Sequence, residues 1–343
     1  MRRARLLRCM VGLIVFCCAG AVMAQRNSAG DQTWEFRIAT LAPADSTWMR
    51  DMLAGAERIR ELTDGRVSFK FRAGGIAGSA DQVLRRIRGG DYQGGAFTAG
   101  ELASVYTGLN IYSVPLMFES LDEVNYIRTR MDPKLVEGLE QAGFVSFGFG
   151  EGGFSNLMTH KPVRHIDDLR REKIWVPRGD EISYAVLEAL RLAPVPLDLS
   201  DALLGLRTGL VDAVAASPFA ALVLQWHTEI EYVTDLPLSY SMGVFAIAND
   251  AFYSLREDDQ QIVRTVISSV MTGIDEASRE DNDKALAEML ERGIQLVPVN
   301  AADVENWREL IEAQYDSLRQ RRDIDPALFD EMLALLEEYR SSH

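Results

Sequence analysis

Cysteine is the first scarcity. The 343-residue chain has three, Cys9, Cys17 and Cys18, all near its beginning. No thiol nucleophile and no disulfide is therefore expected beyond them, and the remainder can fold in an oxidising compartment on an ordinary core. Histidine is nearly as rare, with four copies and no H-E-x-x-H. His160 and His165, beside Asp167 and Asp168, flank Pro162 and match no spacing that zinc favours, so they read as surface side chains. There is no G-x-S-x-G elbow, the turn that would expose a catalytic serine. The acid pairs Asp258–Asp259 and Glu337–Glu338 read as solvated helix surface, and no two carboxylates are singled out as facing one cleft. Catalysis is not indicated, and no cofactor or metal is expected. Positive charge is also short: 36 Lys and Arg stand against 51 Asp and Glu, a formal net charge of −15. That balance argues against nucleic acid or anionic lipid as a partner.

A run long enough to span a bilayer is missing too. Met10–Val22 is apolar but shorter than the ~20 residues a spanning helix needs. It follows Arg2, Arg3, Arg5 and Arg8 and precedes Val22-Met23-Ala24, the small-residue pattern of a signal-peptidase site. A Sec signal peptide over residues 1–24 is expected, cleaved between Ala24 and Gln25. Losing its four arginines takes the formal charge from −15 to −19.

What remains exceeds the roughly 100–200 residues of one domain, which predicts two lobes. Trp34–Thr40 alternates as a half-buried strand does. Ser46 can cap a helix over Thr47–Leu62 whose stripe is Trp48, Met52, Ala56, Ile59 and Leu62. A second strand, Arg66–Arg72, completes a βαβ unit. A short helix opening at Ser79 and a Gly-rich strand Tyr92–Ala99 follow; the glycines suggest that something approaches the backbone closely. Helices near Leu121–Met131 and Pro133–Gln141 lead to a strand Phe144–Gly150. A second set begins at about Phe154, with strands at Asn156–His160, Lys173–Pro177, Pro194–Leu197 and Val211–Ser217. Helices over Asp180–Arg191 and from a Ser200 cap to Gly209 lie between them. From Arg256 to Arg292 there is no proline and one glycine, which predicts a helix of ~50 Å at 1.5 Å per residue. Its apolar face changes midway, as a helix touching two lobes would require.

Gly148–Gly153 reads GFGEGG and fits G-x-G-x-x-G after a strand, but the following residues read as extended. Without a helix at the third glycine there is no N-terminus for a pyrophosphate. A hinge between the strand sets is the better reading.

Five stretches in series carry a resemblance: FRIATLAPADSTW, GGIAGSADQVLRRIRGG, VPLMFESLDEV, GFSNLMTHKPVRHIDDLRREKIWVP, and PVPLDLSDALLGLRTGLVDAV followed by SPFAAL. Together they resemble the DctP-type solute-binding proteins of tripartite ATP-independent periplasmic (TRAP) transporters. The resemblance implies an α/β protein of two lobes that closes over a small solute, a long helix spanning both lobes, and delivery to a membrane permease. It also implies a first lobe over 32–153 and 243–280, a second over 154–242 and about 281–310, and C-terminal helices over 311–343 packing on the lobes.

The departures from that pattern are informative. Carboxylate-binding members usually carry an arginine two residues before the proline of KIWVP, where this chain has Trp175. A second usual arginine falls on Ser155, and a usual asparagine on Ser217. A fork that pairs bidentately with carboxylate is replaced by an indole with one donor and a broad apolar face. The expected ligand is thus apolar, aromatic or weakly polar, since a buried carboxylate without its partner is costly. Taken alone, Trp175 reads as a packed core residue; its position in the family pattern shifts the reading toward the cleft. Arg178, beyond Pro177, reads as a solvated loop charge, though it could serve as a substitute anion binder. The cleft residues expected are Trp175, Ser155, Leu199, Ser217 and Phe219 from the second lobe, with Ser79, Thr98 and Trp48 from the first. Two rivals remain: a secreted two-lobe enzyme, and an interaction protein of the branch that works with a tetratricopeptide-repeat partner, which the loss of the arginines resembles.

Overall fold

The computed structural model describes residues 32–342, so the signal segment and the three cysteines lie outside the described residues. Nine strands form one sheet: β1 (Trp34–Ala39), β2 (Val67–Arg72), β3 (Gly94–Thr98), β4 (Phe144–Thr159), β5 (Lys173–Pro177), β6 (Ala193–Leu197), β7 (Ala213–Ala216), β8 (Tyr232–Ala248) and β9 (Gln295–Pro298). Their order is β2-β1-β3-β8-β4-β7-β5-β6, with β9 also on β8. The helices that matter are α1 (Thr47–Leu62), α2 (Ala80–Arg88), α3 (Leu121–Gln141), α4 (Glu181–Ala189), α5 (Ala202–Thr208), α6 (Pro218–Val223), α7 (Glu257–Glu291), α8 (Ala301–Glu312) and α9 (Pro326–Ser342).

Two lobes follow from the lengths of β4 and β8. At one end β8 pairs antiparallel with β3, Gly94 opposite Ile247 through Thr98 opposite Gly243. At the other, β4 pairs with β7, Asn156 opposite Ala216 through Thr159 opposite Ala213. Between these ends the β4–β8 ladder slips at Ser146/Phe149, Glu151/Gly153, Ser155/Asn156 and Asn156/Met158. Such irregularities bend a strand pair and increase its twist. The six residues GFGEGG lie inside β4, and no helix opens at Gly153. Gly153 has φ +85°, and a Cβ there would stand 2.5 Å from the Asn282 amide nitrogen on α7, so only glycine suits the crossing.

Each half has the βα construction that its sequence pattern predicts. β1 and β2 are parallel, Trp34 opposite Val67, and α1 between them is capped by Ser46, whose Oγ accepts from the Met49 N–H at 3.2 Å. The buried stripe of α1 is Met49, Met52, Gly55, Ala56 and Ile59. It is rotated from the expected one: Trp48 is only partly buried and Leu62 is 40% exposed. The close approach expected at the Gly-rich strand is made by β8, since a Cβ on Gly94 would lie 2.3 Å from the Ala246 carbonyl oxygen. In the other half β5 runs parallel to β6, with Trp175 opposite Val195. The helix expected from a Ser200 cap opens instead with a 3-10 turn over Leu199–Asp201, and α5 ends at Gly209 with φ +66°.

α7 is one unbroken helix of 35 residues. Val263, Ile267 and Met271 pack with Phe36, Ile38 and Phe245, whereas Met289 packs with Trp175 and Trp226. It therefore braces both lobes, and Asn282 fastens it midway: its Oδ1 accepts from the Phe219 N–H at 3.1 Å and its Nδ2 donates to the Gly152 carbonyl at 3.3 Å.

Three expectations are corrected here. The two helices separated at Pro133 are the single 21-residue helix α3, because Val124, Ile127, Met131, Leu135 and Leu139 continue one buried stripe across the proline and tertiary packing overrides the lost hydrogen bond. Asp259 is not solvated surface; its fully buried carboxylate pairs with Arg66 at 2.8 Å and Arg256 at 3.1 Å. Burial alone would raise its pKa, yet the two guanidinium hydrogen bonds hold it below the usual carboxylate range. Strands expected separately at Phe144–Gly150 and Asn156–His160 are the single strand β4.

Candidate ligand cavity

A cavity of about 490 Å³ opens where β3, β5 and β7 end against the β4–β8 crossing, a size suited to a small organic ligand. Seven of the eight residues expected from the sequence line it: Trp48, Thr98, Ser155, Trp175, Leu199, Ser217 and Phe219. Ser79 does not. It caps α2 in a reciprocal box with Gln82, which explains the serine without any ligand.

The polar members of this set are already engaged. Thr98 Oγ1 accepts from the Glu101 N–H at 3.2 Å, and Glu101 Oε2 accepts from the Thr98 N–H at 2.8 Å. Ser217 caps α6 by accepting from Ala220 at 3.3 Å. Ser155, at one of the usual arginine positions, is buried and shares a 2.9 Å hydrogen bond with Ser241. Trp175 is 5% exposed, and its Nε1–H donates to the Leu197 carbonyl at 3.2 Å. Its ring stands edge-to-face against Trp226, centroids 4.9 Å apart. Trp175 thus packs in the core and also forms part of the cavity wall.

The charge of the wall is one-sided. Among the described residues the lining contains no lysine, arginine or histidine, but five acids: Asp51, Glu101, Glu151, Asp180 and Asp281. Burial pushes Glu101 and Asp180 above the usual carboxylate range, against hydrogen bonds that would lower them. Guanidinium groups behind the wall are committed to acids. Arg279 holds Glu151 at 2.9 Å. Arg128 donates to Asp275 at 2.8 Å, Asp132 at 2.9 Å, Tyr240 Oη at 3.2 Å and the Phe149 carbonyl at 2.9 Å. Arg178, the possible substitute anion binder, is half-exposed, pairs with Asp198 at 3.0 Å and does not line the cavity.

Several wall residues were not singled out from the sequence: Glu101, Asp180, Trp226, Tyr240 and Trp307. Asp180 was legible only as a helix start, and it does cap α4, accepting from Ser183 at 3.0 Å. Trp307, on α8, carried no signal beyond the apolar stripe of an ordinary amphipathic helix. His165 is an exposed side chain paired with Asp303 at 2.8 Å, and no group of three or more potential metal ligands occurs among the described residues. No helix among them is long and apolar enough to cross a membrane.

Comparison with known proteins agrees with this architecture. A solute-binding protein of Sulfitobacter sp. (strain NAS-14.1) is 24% identical over 282 residues, 80% of this chain and 83% of that protein. Among solved structures, the sugar acid binding protein DctPAm of Advenella mimigardefordensis strain DPN7T, in complex with galactonate, superposes with a TM-score of 0.83 at 19% identity. That match covers 90% of this chain and 99% of that one. A TRAP periplasmic solute binding protein from Desulfovibrio salexigens with bound orotic acid gives 0.81 at 20% identity over the same shares. The profile of the bacterial extracellular solute-binding proteins, family 7, matches residues 38–321. With most of its length inside that match, the chain belongs to this family of solute-binding proteins, the DctP family.

Proposed function

We propose that this protein is the periplasmic receptor of a TRAP transporter for a solute that is apolar, aromatic or weakly polar, and that it hands this solute to the membrane permease. One observation carries the ligand class: a lining with five carboxylates and no cationic side chain among the described residues. The galactonate and orotic acid of the two structural relatives are anions. An anion in this cavity would be desolvated among like charges without a guanidinium, a cost of several kcal/mol. An uncharged solute meets instead the faces of Trp48, Trp175, Phe219 and Leu199.

In this reading the lobes divide at 153/154 and 242/243, within the slipped part of the β4–β8 ladder, with α7 as the brace. A solute touching both lobes favours the closed form by the difference in its affinity for the two forms, and that difference sets the population offered to the permease. A tetratricopeptide-repeat partner belongs to the same reading, and finding a gene for such a protein beside the permease genes would support it.

The test is titration of the purified protein with N-phenyl-1-naphthylamine, galactonate, orotate and succinate. The neutral dye is expected to bind and the three acids not to compete. Arg178→Ala should change dye affinity less than twofold. Tight binding of any of the acids, abolished by Arg178→Ala, contradicts the apolar assignment and restores the carboxylate reading.

A further inference from the structure

The cavity wall contains an indole with nothing to bond. Trp307 on α8 is 3% exposed and lines the cavity, and its Nε1–H is buried without a hydrogen-bond acceptor among the described residues. Trp175, in the same wall, shows the ordinary situation, with its N–H bonded to the Leu197 carbonyl. Buried indole N–H groups usually find such an acceptor, because an unpaired donor forfeits its hydration with nothing in return.

The surroundings explain why the protein itself supplies none. Ile311 lies one turn further along α8, and Ile166, Leu169 and Leu192 line the same cavity and belong with Trp307 to one core cluster. This arm of the cavity therefore runs from the cleft into hydrophobic core. A lone water is a poor substitute, since a buried water needs two to four polar partners and these walls offer mainly hydrocarbon.

We propose that Trp307 is a ligand-binding residue: the apolar body of the solute fills this arm, and an uncharged acceptor oxygen on it, carbonyl, ether or hydroxyl, takes the indole N–H. The inference rests on the apolar-solute reading and deepens it from "hydrophobic" to "hydrophobic with one neutral acceptor". The acceptor is uncharged because Glu101 and Asp180 share the cavity and no lysine, arginine or histidine lines it.

Two probes of matched shape, 2-nonanone and 2-methyl-1-nonene, test it by displacement of N-phenyl-1-naphthylamine from wild type and from Trp307→Phe. The variant should bind the ketone about tenfold more weakly and the alkene within twofold, the loss of one hydrogen bond. A parallel change for both probes, or no change for either, overturns the donor role and leaves Trp307 as packing. If wild type binds neither the dye nor the probes, the apolar-solute reading fails and the proposal with it. Should Trp307→Phe not fold, indole N–H NMR of the wild type decides. The ketone, and not the alkene, should move the Trp307 indole proton downfield, and an unmoved resonance overturns the proposal.

Discussion

Arg128→Ala should lower the free energy of unfolding by about 3–5 kcal/mol, the usual consequence of removing one partner from a buried ion network. Its guanidinium is 11% exposed and stands between Asp132 and Asp275, with Glu151 at 4.0 Å. The same group caps the Phe149 carbonyl and the Tyr240 hydroxyl. It thus ties α3, β4, β8 and α7 together beside the crossing. Burial already pushes the Asp132 carboxyl up even with Arg128 in place. Without the guanidinium, the folded pKa of Asp132 would be raised further above its unfolded one. Carboxyls raised in this way destabilise the fold above the unfolded pKa and cease to do so once protonated in both states. The deficit relative to wild type should accordingly be full at pH 7 and shrink as pH falls toward about 4. Urea unfolding at both pH values measures it. A deficit under about 1 kcal/mol, the range of exposed pairs, would mean that the network is not buried in solution.

Trp175→Ala should be comparably damaging, about 3–5 kcal/mol for a large aromatic truncated in a packed core. It should also abolish dye binding at any concentration where the variant remains folded. The two effects separate in Trp175→Phe, which keeps an aromatic face toward Trp226 but drops the bond to Leu197; stability falls modestly and dye binding persists. Trp175→Arg, which restores the residue type usual in carboxylate binders, should unfold the protein more readily than it binds anions. The new guanidinium would replace an indole packed beside Ala202, Leu206 and Trp226, trading that packing for a charge that is costly to desolvate. Thermal unfolding with and without galactonate checks this: stabilisation of the arginine variant by galactonate would show that the site tolerates an anion after all.

How much of this was legible in the sequence depends on whether local pattern or long-range contact decides each feature. α7 was readable to within a residue at either end because nothing interrupts it: no proline, one glycine, and acids in its first turn. The βα units were readable for the same reason. β8 escaped, although its 17 residues make it the longest strand. Pro237 reads locally as a strand breaker, and the strand survives because β3 and β4 pair along it. β4 read as two strands because its glycines signal a break locally, whereas in the fold they let a continuous strand bend.

The site divides similarly. Trp175, Ser155 and Ser217 were found by their positions within the family pattern, and all three reach the cavity. Ser79 and Thr98 look alike as helix caps in the sequence, but only Thr98 ends a strand that points into the cleft. The acids that give the wall its charge, Glu101 and Asp180, are 79 positions apart in the chain and are brought to one lining only by the folding of the lobes. Trp307 is 115 positions from Leu192, with which it shares the cavity wall. Spacing cannot reveal an unpaired donor, because pairing is a property of the finished packing.

This cavity should hold an uncharged, largely apolar solute. Native mass spectrometry of the protein as purified, followed by denaturation and identification of the released molecule, tests it directly. A neutral, predominantly hydrocarbon compound with an acceptor oxygen is expected. Release of a sugar acid or a di- or tricarboxylate would contradict it.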